Sequence, residues 1–300
     1  MTISAIRSYI GTIKEDPSLR EEKNFDQRSE VIDFLGFQVI DRIEELLQDT
    51  NQPESLILLR SRAEKIRDEL EEIDHTVFQK LLARIRSKPP AGNEFKDLIA
   101  EYVDLYSDPS PHRGGPGYDN LDIFINGLSL FQAMPVQTKV LEPDMVGYQK
   151  TPARVVFELV ERVQFSRGDV FFDLGSGLGQ VAILVNLLTG ATVRGIEVEP
   201  AFCDYARDCA ADLHLSHVTF VNADARKADY SKGTIFFMYT PFKGEIMEEV
   251  LEILRKESLG RKIRIITYGP CTAQVALQSW LDFEAPGDSD IYKLGVFRSS

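Results

Sequence analysis

The chain has 300 residues, 43% of them hydrophobic, which is enough for one large domain or two smaller ones. Its net charge of −13 argues against non-specific binding to nucleic acid, which depends on basic side chains that neutralise phosphates. The three cysteines, Cys203, Cys209 and Cys271, have neither the spacing of a disulfide framework nor that of a metal site. We therefore predict free thiols, a reducing compartment and no bound metal.

No apolar stretch is long enough to span a bilayer, since the longest runs only from Val181 to Leu188. Residues 1–14 lack the continuous apolar core of a signal peptide. These features predict a cytoplasmic protein without a membrane partner.

Residues 1 to about 106 have only helical patterns. Apolar residues recur at helical spacing from Val31 to Leu47, from Leu56 to Val77 and from Phe95 to Tyr106. The second stretch alternates steps of three and four over about three heptads, which indicates a possible coiled-coil dimer through residues 56–77. A helical hairpin packed on neighbouring helices is the favoured alternative, because the seam is short.

A Pro/Gly-rich stretch from Ser107 to Asn120 is the best candidate linker. No Gly-Lys-Ser/Thr follows its glycines, so we interpret it as a hinge or lid and not as a phosphate loop, with His112 as a solvated loop residue. The predicted division is a helical domain over 1–110, a linker or crossover over 111–140 and a second domain over 141–300.

Strand and helix patterns alternate in this second domain. Predicted strands begin near Val170, Thr192, Val218, Thr234 and Ile263, with helices between them. Further patterns predict a short helix from Gln274 to Leu281 and closing strands at Phe283 and 291–297. This alternation predicts an α/β domain whose parallel sheet is covered on both faces.

The segment VFFDLGSGLGQ, Val170 to Gln180, predicts a buried strand, a glycine turn and the start of a helix. Such a turn lets a ligand approach the backbone beside the free N–H groups of the helix. A dinucleotide-binding turn would need a glycine at Gln180, and a pyrophosphate would lie poorly beside Asp173. An ammonium group could pair with that carboxylate, which argues against an NAD-linked oxidoreductase.

Two more acids follow predicted strands. Glu197 ends the second strand about 20 residues after the turn, where a nucleoside-binding unit has its acceptor for the ribose hydroxyls. Asp224 follows the third strand. Acids at three successive strand ends form a specific pattern that a surface loop would not produce.

The pattern Asp-x-Gly-x-Gly-x-Gly resembles motif I of the class I S-adenosylmethionine (SAM)-dependent methyltransferases. DLGSGLGQ, from Asp173 to Gln180, and the order of the regions are similar to the non-SET histone lysine methyltransferases of the disruptor-of-telomeric-silencing type. The resemblance implies SAM as cofactor and a Rossmann-like, mostly parallel sheet of about seven strands, the last inserted antiparallel, behind an all-α N-terminal domain. The cofactor contacts that it implies are Tyr148, Thr151, Asp173, Gly175, Gly177, Gly179, Gln180, Glu197, Asp224 and Ala225.

In that family pattern Asp224 receives the adenine amino group. The segment from Glu142 to Pro152 then folds over the cofactor, and Tyr148 and Thr151 contact its methionine end or the transferred methyl group. An equally weighted alternative is that Thr151 only caps a helix whose first residue is Pro152.

The fourth predicted strand ends in Tyr239-Thr240-Pro241-Phe242, the candidate catalytic residues. Amino-methylating families carry Asn/Asp-Pro-Pro-Tyr/Phe here, so the first two positions depart from the pattern. The Tyr239 hydroxyl or a backbone carbonyl could accept an N–H of the substrate, and Phe242 could contact the methyl group by cation–π attraction or belong to the core. Tyr268, which ends the fifth strand, is expected to face the same crevice.

The first expectation for function is an active methyltransferase whose acceptor, an amine on a protein lysine or a small molecule, lies between the helical domain and the sheet. An oxygen on a small molecule is the second acceptor. A non-catalytic SAM-binding scaffold that uses the N-terminal helices for protein interaction is the alternative from another class. Neither an asparagine-rich fourth motif nor a basic tail is present, so a histone substrate is not carried over.

Overall fold

The computed structural model describes residues 1–48, 53–106, 117–128, 134–284 and 291–300. Residues 107–116 of the predicted linker, with His112, and residues 129–133 of the predicted crossover lie outside these ranges. Among the described helices, none is both long and apolar enough to cross a membrane.

The N-terminal part consists of helices, as predicted. They are α1 (Ile3–Glu15), α2 (Phe25–Phe34), a π-helical segment (Leu35–Ile40), α3 (Asp41–Gln48), α4 (Glu54–Ser87), α5 (Asn93–Ala100) and α6 (Asn120–Leu128).

The helical run that contains α2 begins at Phe25 and not at the predicted Val31. Arg28, on its first turns, is fully buried and donates from Nε to Asp74 Oδ1 of α4 at 2.7 Å. Two backbone carbonyls, those of Leu19 and Glu21, accept from its Nη1. Because a charged residue occupies this core position, the hydrophobic periodicity does not extend to the start of the helix.

The apolar residues of α4 that were predicted as a heptad seam pack against other helices of the same chain, as the helical-hairpin alternative predicts. Leu59, Ala63 and Ile66 are buried in one cluster with residues of α1 and of the run from α2 to α3. A dimer through residues 56–77 stays a prediction, and it would have to use exposed side chains of α4 such as Ile57.

The C-terminal part is a seven-stranded sheet with the order β3-β2-β1-β4-β5-β7-β6. Its strands are β1 (Val170–Leu174), β2 (Thr192–Glu197), β3 (Val218–Asn222), β4 (Ile235–Met238), β5 (Arg264–Thr267), β6 (Leu281–Glu284) and β7 (Gly295–Ser299). The first five are parallel, and β7 is inserted antiparallel between β5 and β6. The predicted fold class and the inserted last strand are confirmed.

Five helices accompany the strands: α7 (Ala153–Val163), α8 (Gln180–Thr189), α9 (Pro200–Asp212), α10 (Gly244–Ser258) and α11 (Cys271–Ala276). The predicted helix from Gln274 to Leu281 is wrong at both ends. The chain enters α11 directly after Gly269, which has a φ of +84°, and Pro270. Leu281 belongs to β6, where it pairs with Ser299.

The strand order reverses between β1 and β4. The chain continues from β1 and from β4 towards opposite sides of the sheet, so a crevice opens at the carboxyl ends of these two strands. This is the usual ligand position in an open α/β sheet. In the register, Asp173 of β1 stands between Gly195 of β2 and Phe237 of β4, which places it at the base of this crevice.

Candidate active site

The crevice collects nearly all residues that the sequence singled out. Those that line it are Tyr148, Thr151, Asp173, Gly175, Gly177, Gln180, Glu197, Asp224, Ala225, Tyr239, Thr240, Pro241 and Phe242. Gly179 is absent from this lining. Their assignment to cofactor or acceptor stays a prediction; their common position is a property of the fold.

The glycine turn is shaped by close contacts on both sides. A Cβ built on Gly177, whose φ is +51°, would lie 2.4 Å from ring atoms of Tyr148 in the crevice. A Cβ on Gly179, whose φ is +85°, would lie 2.6 Å from the ring of Phe220 beneath the turn. Gly179 therefore serves the packing of α8 on the sheet, whereas Gly177 faces the crevice.

Asp173 is buried, with 3% of its surface exposed, and its Oδ2 accepts no hydrogen bond from the described residues. Burial and, to a smaller extent, the charge of Glu197 raise the pKa of Asp173 to about 8. A cation beside this carboxyl group would favour its ionised form. The base of the crevice is thus suited to a positively charged ligand group.

Two other polar atoms of residues that line the crevice are also buried without a hydrogen bond from the described residues: Ser176 Oγ and Gln180 Oε1. The other end of the Gln180 amide donates from Nε2 to the Thr151 carbonyl at 3.1 Å. Buried polar atoms normally have partners, so such a cluster indicates a place where a polar ligand binds.

Glu197 lies at the predicted ribose position and is held by backbone groups. Its Oε2 accepts from the Gly177 N–H and its Oε1 from the Glu199 N–H, both at 2.8 Å. Burial raises its pKa. These bonds fix the orientation of the carboxylate at the edge of the glycine turn.

Asp224, the predicted adenine acceptor, is bound by an arginine that the sequence did not single out. Its Oδ1 accepts from the Arg226 backbone N–H at 2.8 Å, and its Oδ2 accepts from Arg226 Nη2 at 2.6 Å. The same Nη2 donates to Glu142 Oε1 at 2.9 Å. The Arg226 side chain lowers the pKa of Asp224.

The segment 134–151, here called the strap, crosses the carboxyl ends of the strands. Glu199 accepts from the backbone N–H groups of Thr138 and Lys139 at 3.0 and 2.7 Å. Further along, the Val146 N–H donates to the Pro241 carbonyl at 3.0 Å. The strap is therefore attached to the sheet on both sides of the crevice.

Tyr148 belongs to the strap and its ring covers Gly177, with the ring of Phe202 at 5.7 Å between centroids. This is where the resemblance placed a segment that folds over the cofactor. Burial raises the pKa of its phenol, which therefore stays neutral.

The predicted helix cap at Thr151 is wrong. Helix α7 begins at Ala153, and its N-cap residue is Pro152, which has no side chain that could accept a hydrogen bond. The Ala153 N–H instead donates to Asp122 Oδ1 of α6 at 2.9 Å. An acid from 31 residues earlier in the chain occupies the capping position, so the local sequence could not reveal it.

Tyr239 is half-buried and its ring lies 4.9 Å from that of Tyr268, which in turn lies 5.9 Å from that of Tyr292. Burial, followed by the neighbouring Tyr118 and Tyr292, raises the pKa of Tyr239 to about 12. Phe242 is 5% exposed and packs in the core while it lines the crevice, so the two interpretations of this residue do not exclude each other.

Thr240 has a φ of +43°, which is rare for a β-branched residue. Its hydroxyl donates to the Tyr268 carbonyl at 3.3 Å and accepts from the Cys271 N–H at 3.2 Å. The hydroxyl is thus engaged with the turn between β5 and α11. Thr240 shapes the acceptor side of the crevice through its backbone.

The site residues that were missed from the sequence include Ser176, Glu199, Phe202 and Arg226. Pro200 at the first helical position indicates that a helix begins after Glu199, but no local pattern indicates the bonds from the strap to Glu199. Among the described residues, no group of three or more His, Cys, Asp and Glu side chains could hold a metal ion.

Residues 145–274 match the family model described as "Histone methylation protein DOT1". The chain contains a class I SAM-dependent methyltransferase domain that resembles the DOT1 type. The match begins in the strap and ends in α11, so it includes every candidate site residue. It confirms the predicted resemblance, and the cofactor of the domain is SAM, as predicted.

A curated relative is Methyltransferase GfsG of Streptomyces halstedii, 30% identical over 110 residues. The alignment covers 34% of this chain and 40% of that protein, so the chain spans well under half the length of this relative.

Among solved structures, an RNA methyltransferase from Salinibacter ruber in complex with S-adenosyl-L-homocysteine is 25% identical. The likeness covers 50% of this chain and 92% of that one, with a TM-score of 0.40. A SAM-dependent methyltransferase from Aquifex aeolicus is 18% identical, covers 48% and 88%, and also has a TM-score of 0.40.

Proposed function

We propose that the chain transfers a methyl group from SAM to an amine, on a protein lysine or a small molecule, held between the helical region and the carboxyl edge of the sheet. The observation that carries the proposal is the Asp173 carboxyl group, buried at the base of the crevice with one oxygen that accepts no hydrogen bond from the described residues. SAM carries an ammonium group and a sulfonium, and either would favour the ionised carboxylate.

The surrounding residues fit the rest of this cofactor. Ser176 Oγ and Gln180 Oε1 offer buried polar contacts, and the turn at Gly177 leaves room for close approach to the backbone. Glu197 and Asp224 stand at the ends of β2 and β3, in the order in which an extended nucleoside would meet them. When bound, the cofactor supplies a methyl group on a positively charged sulfur.

Tyr239 lines the acceptor side of the crevice, whereas Tyr268, expected to face the crevice too, is 2% exposed and packs behind it. Tyr239 and Tyr268 follow β4 and β5, and Tyr292 precedes β7. Tyr118 precedes α6 and donates from its hydroxyl to the Lys150 carbonyl of the strap at 2.5 Å. Aromatic faces attract cations, so Tyr239 and Phe242, which line the crevice, favour a basic amine. Tyr118 is a neighbour of Tyr239, which supports a position beside the helical region.

Within this crevice the side chains would bind, orient and exclude water. Because its pKa is about 12, the Tyr239 phenol is neutral at ordinary pH, and its oxygen can accept an N–H of the amine. The strap covers the glycine turn with the ring of Tyr148 and so limits access of water. Alignment and exclusion of water are the main contributions that a protein makes to such a displacement.

The test is the fate of labelled methyl groups. The full chain and its Asp173→Asn variant are incubated with methyl-labelled SAM and a cell lysate, and the protein and small-molecule fractions are separated. Label on an amine that depends on Asp173 supports the proposal. Label only on oxygen would contradict the amine acceptor, and no label in any fraction would contradict the activity.

A SAM-binding scaffold is the second candidate, and the departure at Tyr239-Thr240 from the amino-methylating pattern favours it. The same experiment separates the two. The scaffold predicts that SAM binds in calorimetry while no fraction takes up the label.

A further inference from the structure

Arg226 stands between two carboxylates that belong to different parts of the site. Its guanidinium reaches Asp224, at the end of β3, and both oxygens of Glu142, in the strap, at 2.9 and 3.0 Å. The third neighbour, Glu249 of α10, is more distant at 4.0 Å. One planar group therefore joins the predicted adenine acceptor to the segment that covers the crevice.

The contacts hold the Asp224 carboxylate in one orientation. Its Oδ1 accepts from the Arg226 backbone N–H at 2.8 Å and from Nε at 3.0 Å, and its Oδ2 accepts from Nη2 at 2.6 Å. Oδ1 thus accepts two hydrogen bonds, whereas the second contact of Oδ2, from Arg226 Nε, is longer at 3.2 Å. Oδ2 is therefore the oxygen that remains able to accept a further N–H. Bidentate arginine contacts fix geometry more strictly than a lysine can.

We propose that Arg226 is a positioning residue for the cofactor's base: it orients Asp224 to accept the 6-amino group of adenine and, through Glu142, couples that recognition to the placement of the strap. The inference rests on the proposed function, because it concerns the same cofactor site. It assigns to Arg226 a part of the selectivity for a 6-aminopurine nucleoside over a 6-oxopurine one.

The physical reason is the reversed polarity at position 6. Adenine presents an N–H donor to the fixed carboxylate, whereas hypoxanthine presents a carbonyl oxygen, which the carboxylate repels. A site built to hydrogen-bond one group discriminates strongly against the analogue that lacks it. Without the guanidinium the Asp224 side chain can turn away from the carbonyl or bind a proton, and either change weakens the discrimination.

The test compares two ligands, S-adenosylhomocysteine and S-inosylhomocysteine, by calorimetry on the full chain. We expect the wild type to prefer the adenosyl compound and the Arg226→Gln variant to lose roughly tenfold of this preference. Arg226→Lys keeps the charge but cannot bind both oxygens of Asp224 as the planar guanidinium does. This second variant is also expected to lower the preference for the adenosyl compound. The matched control is Arg255→Gln, whose guanidinium pairs with Glu252 on the surface of α10.

Glu142→Gln tests the coupling, because it leaves Asp224 intact and takes away the charge and one of the two oxygens that bind the guanidinium. It is expected to lower the preference and to speed the dissociation of S-adenosylhomocysteine. If both Arg226 variants bind the two ligands with the wild-type preference, or if Arg255→Gln changes it equally, the inference is wrong. If Glu142→Gln alone leaves preference and dissociation unchanged, the coupling to the strap is wrong. A wild type that binds neither ligand would contradict the proposed function as well.

Discussion

The ring of Tyr148 lies directly on Gly177, so close that a Cβ on the glycine would stand 2.4 Å from two ring carbons. The contact joins the strap to the turn between β1 and α8. It shows why a glycine is needed at this position: both the positive φ and the covering ring exclude a side chain.

Gly177→Ala is therefore expected to weaken SAM binding about tenfold or more, because the new methyl group strains the turn and displaces Tyr148. The measurement is a calorimetric titration with SAM. Gly168→Ala is the matched control: Gly168 also has a positive φ, +98°, but a Cβ there would meet nothing within 4 Å. Equal loss of SAM affinity in both variants would show that the covering ring is irrelevant.

Removing the Tyr239 hydroxyl tests its part in holding the acceptor. Tyr239→Phe is expected to lower kcat by about 10- to 100-fold with little change in the Kd for SAM, since the phenol serves the acceptor and not the cofactor. The assay is methyl transfer to the acceptor found by labelling. Tyr268→Phe, in the buried neighbour whose ring lies 4.9 Å away, is the control. An unchanged kcat in Tyr239→Phe would remove the phenol from the mechanism.

The Thr240 hydroxyl is expected to stabilise an unfavourable backbone conformation. Thr240→Val removes both of its hydrogen bonds and should lower the free energy of unfolding by about 1–3 kcal/mol, and with it kcat. Thr240→Ser keeps the hydroxyl and should stay near the wild type in urea denaturation. Similar stabilities for Thr240→Val and Thr240→Ser would contradict this role.

Asp122 connects the helical region to the methyltransferase domain by capping α7. Asp122→Ala is expected to lower the free energy of unfolding by about 1–2 kcal/mol and to weaken SAM binding, because the strap enters α7 at this point. Asp122→Asn retains an acceptor oxygen and should lose less. If thermal unfolding shows equal losses for the two variants, the cap is not the reason for the burial of Asp122.

The parts of the site that sequence predicts are those that depend on neighbours along the chain. Asp173, the glycine turn and Glu197 follow from a strand, a turn and the next strand end, and the structure places Asp173, Gly175, Gly177 and Glu197 in one crevice. The prediction that β7 is inserted antiparallel came from the family resemblance, because the periodicity of apolar residues predicts where strands lie along the chain but not their order in the sheet.

The missed features depend on contacts between distant residues. The cap by Asp122 spans 31 residues, and the bond from Arg226 to Glu142 spans 84. The first turns of α2 were not predicted as helix, because Arg28 is buried there in an ion pair with Asp74 and a charged residue does not contribute to a hydrophobic pattern. Hydrophobic patterns report burial only where the buried side chain is apolar.

The central claim, that Asp173 holds a positive group of SAM, gives a specific pH dependence. Burial and Glu197 raise the pKa of Asp173 from its ordinary value of 3.8 to about 8. The cofactor-free fold therefore favours the protonated form and loses stability as pH rises from the ordinary value towards 8. Binding of a cation restores ionisation, so SAM affinity should increase with pH up to about 8 and then level off.

The most direct measurement is the number of protons released per SAM bound, from calorimetry at pH 7 in two buffers with different ionisation enthalpies. The wild type is predicted to release close to one proton and Asp173→Asn almost none, with weaker binding. Binding of SAM by the wild type without proton release, or release that persists in Asp173→Asn, would contradict the account.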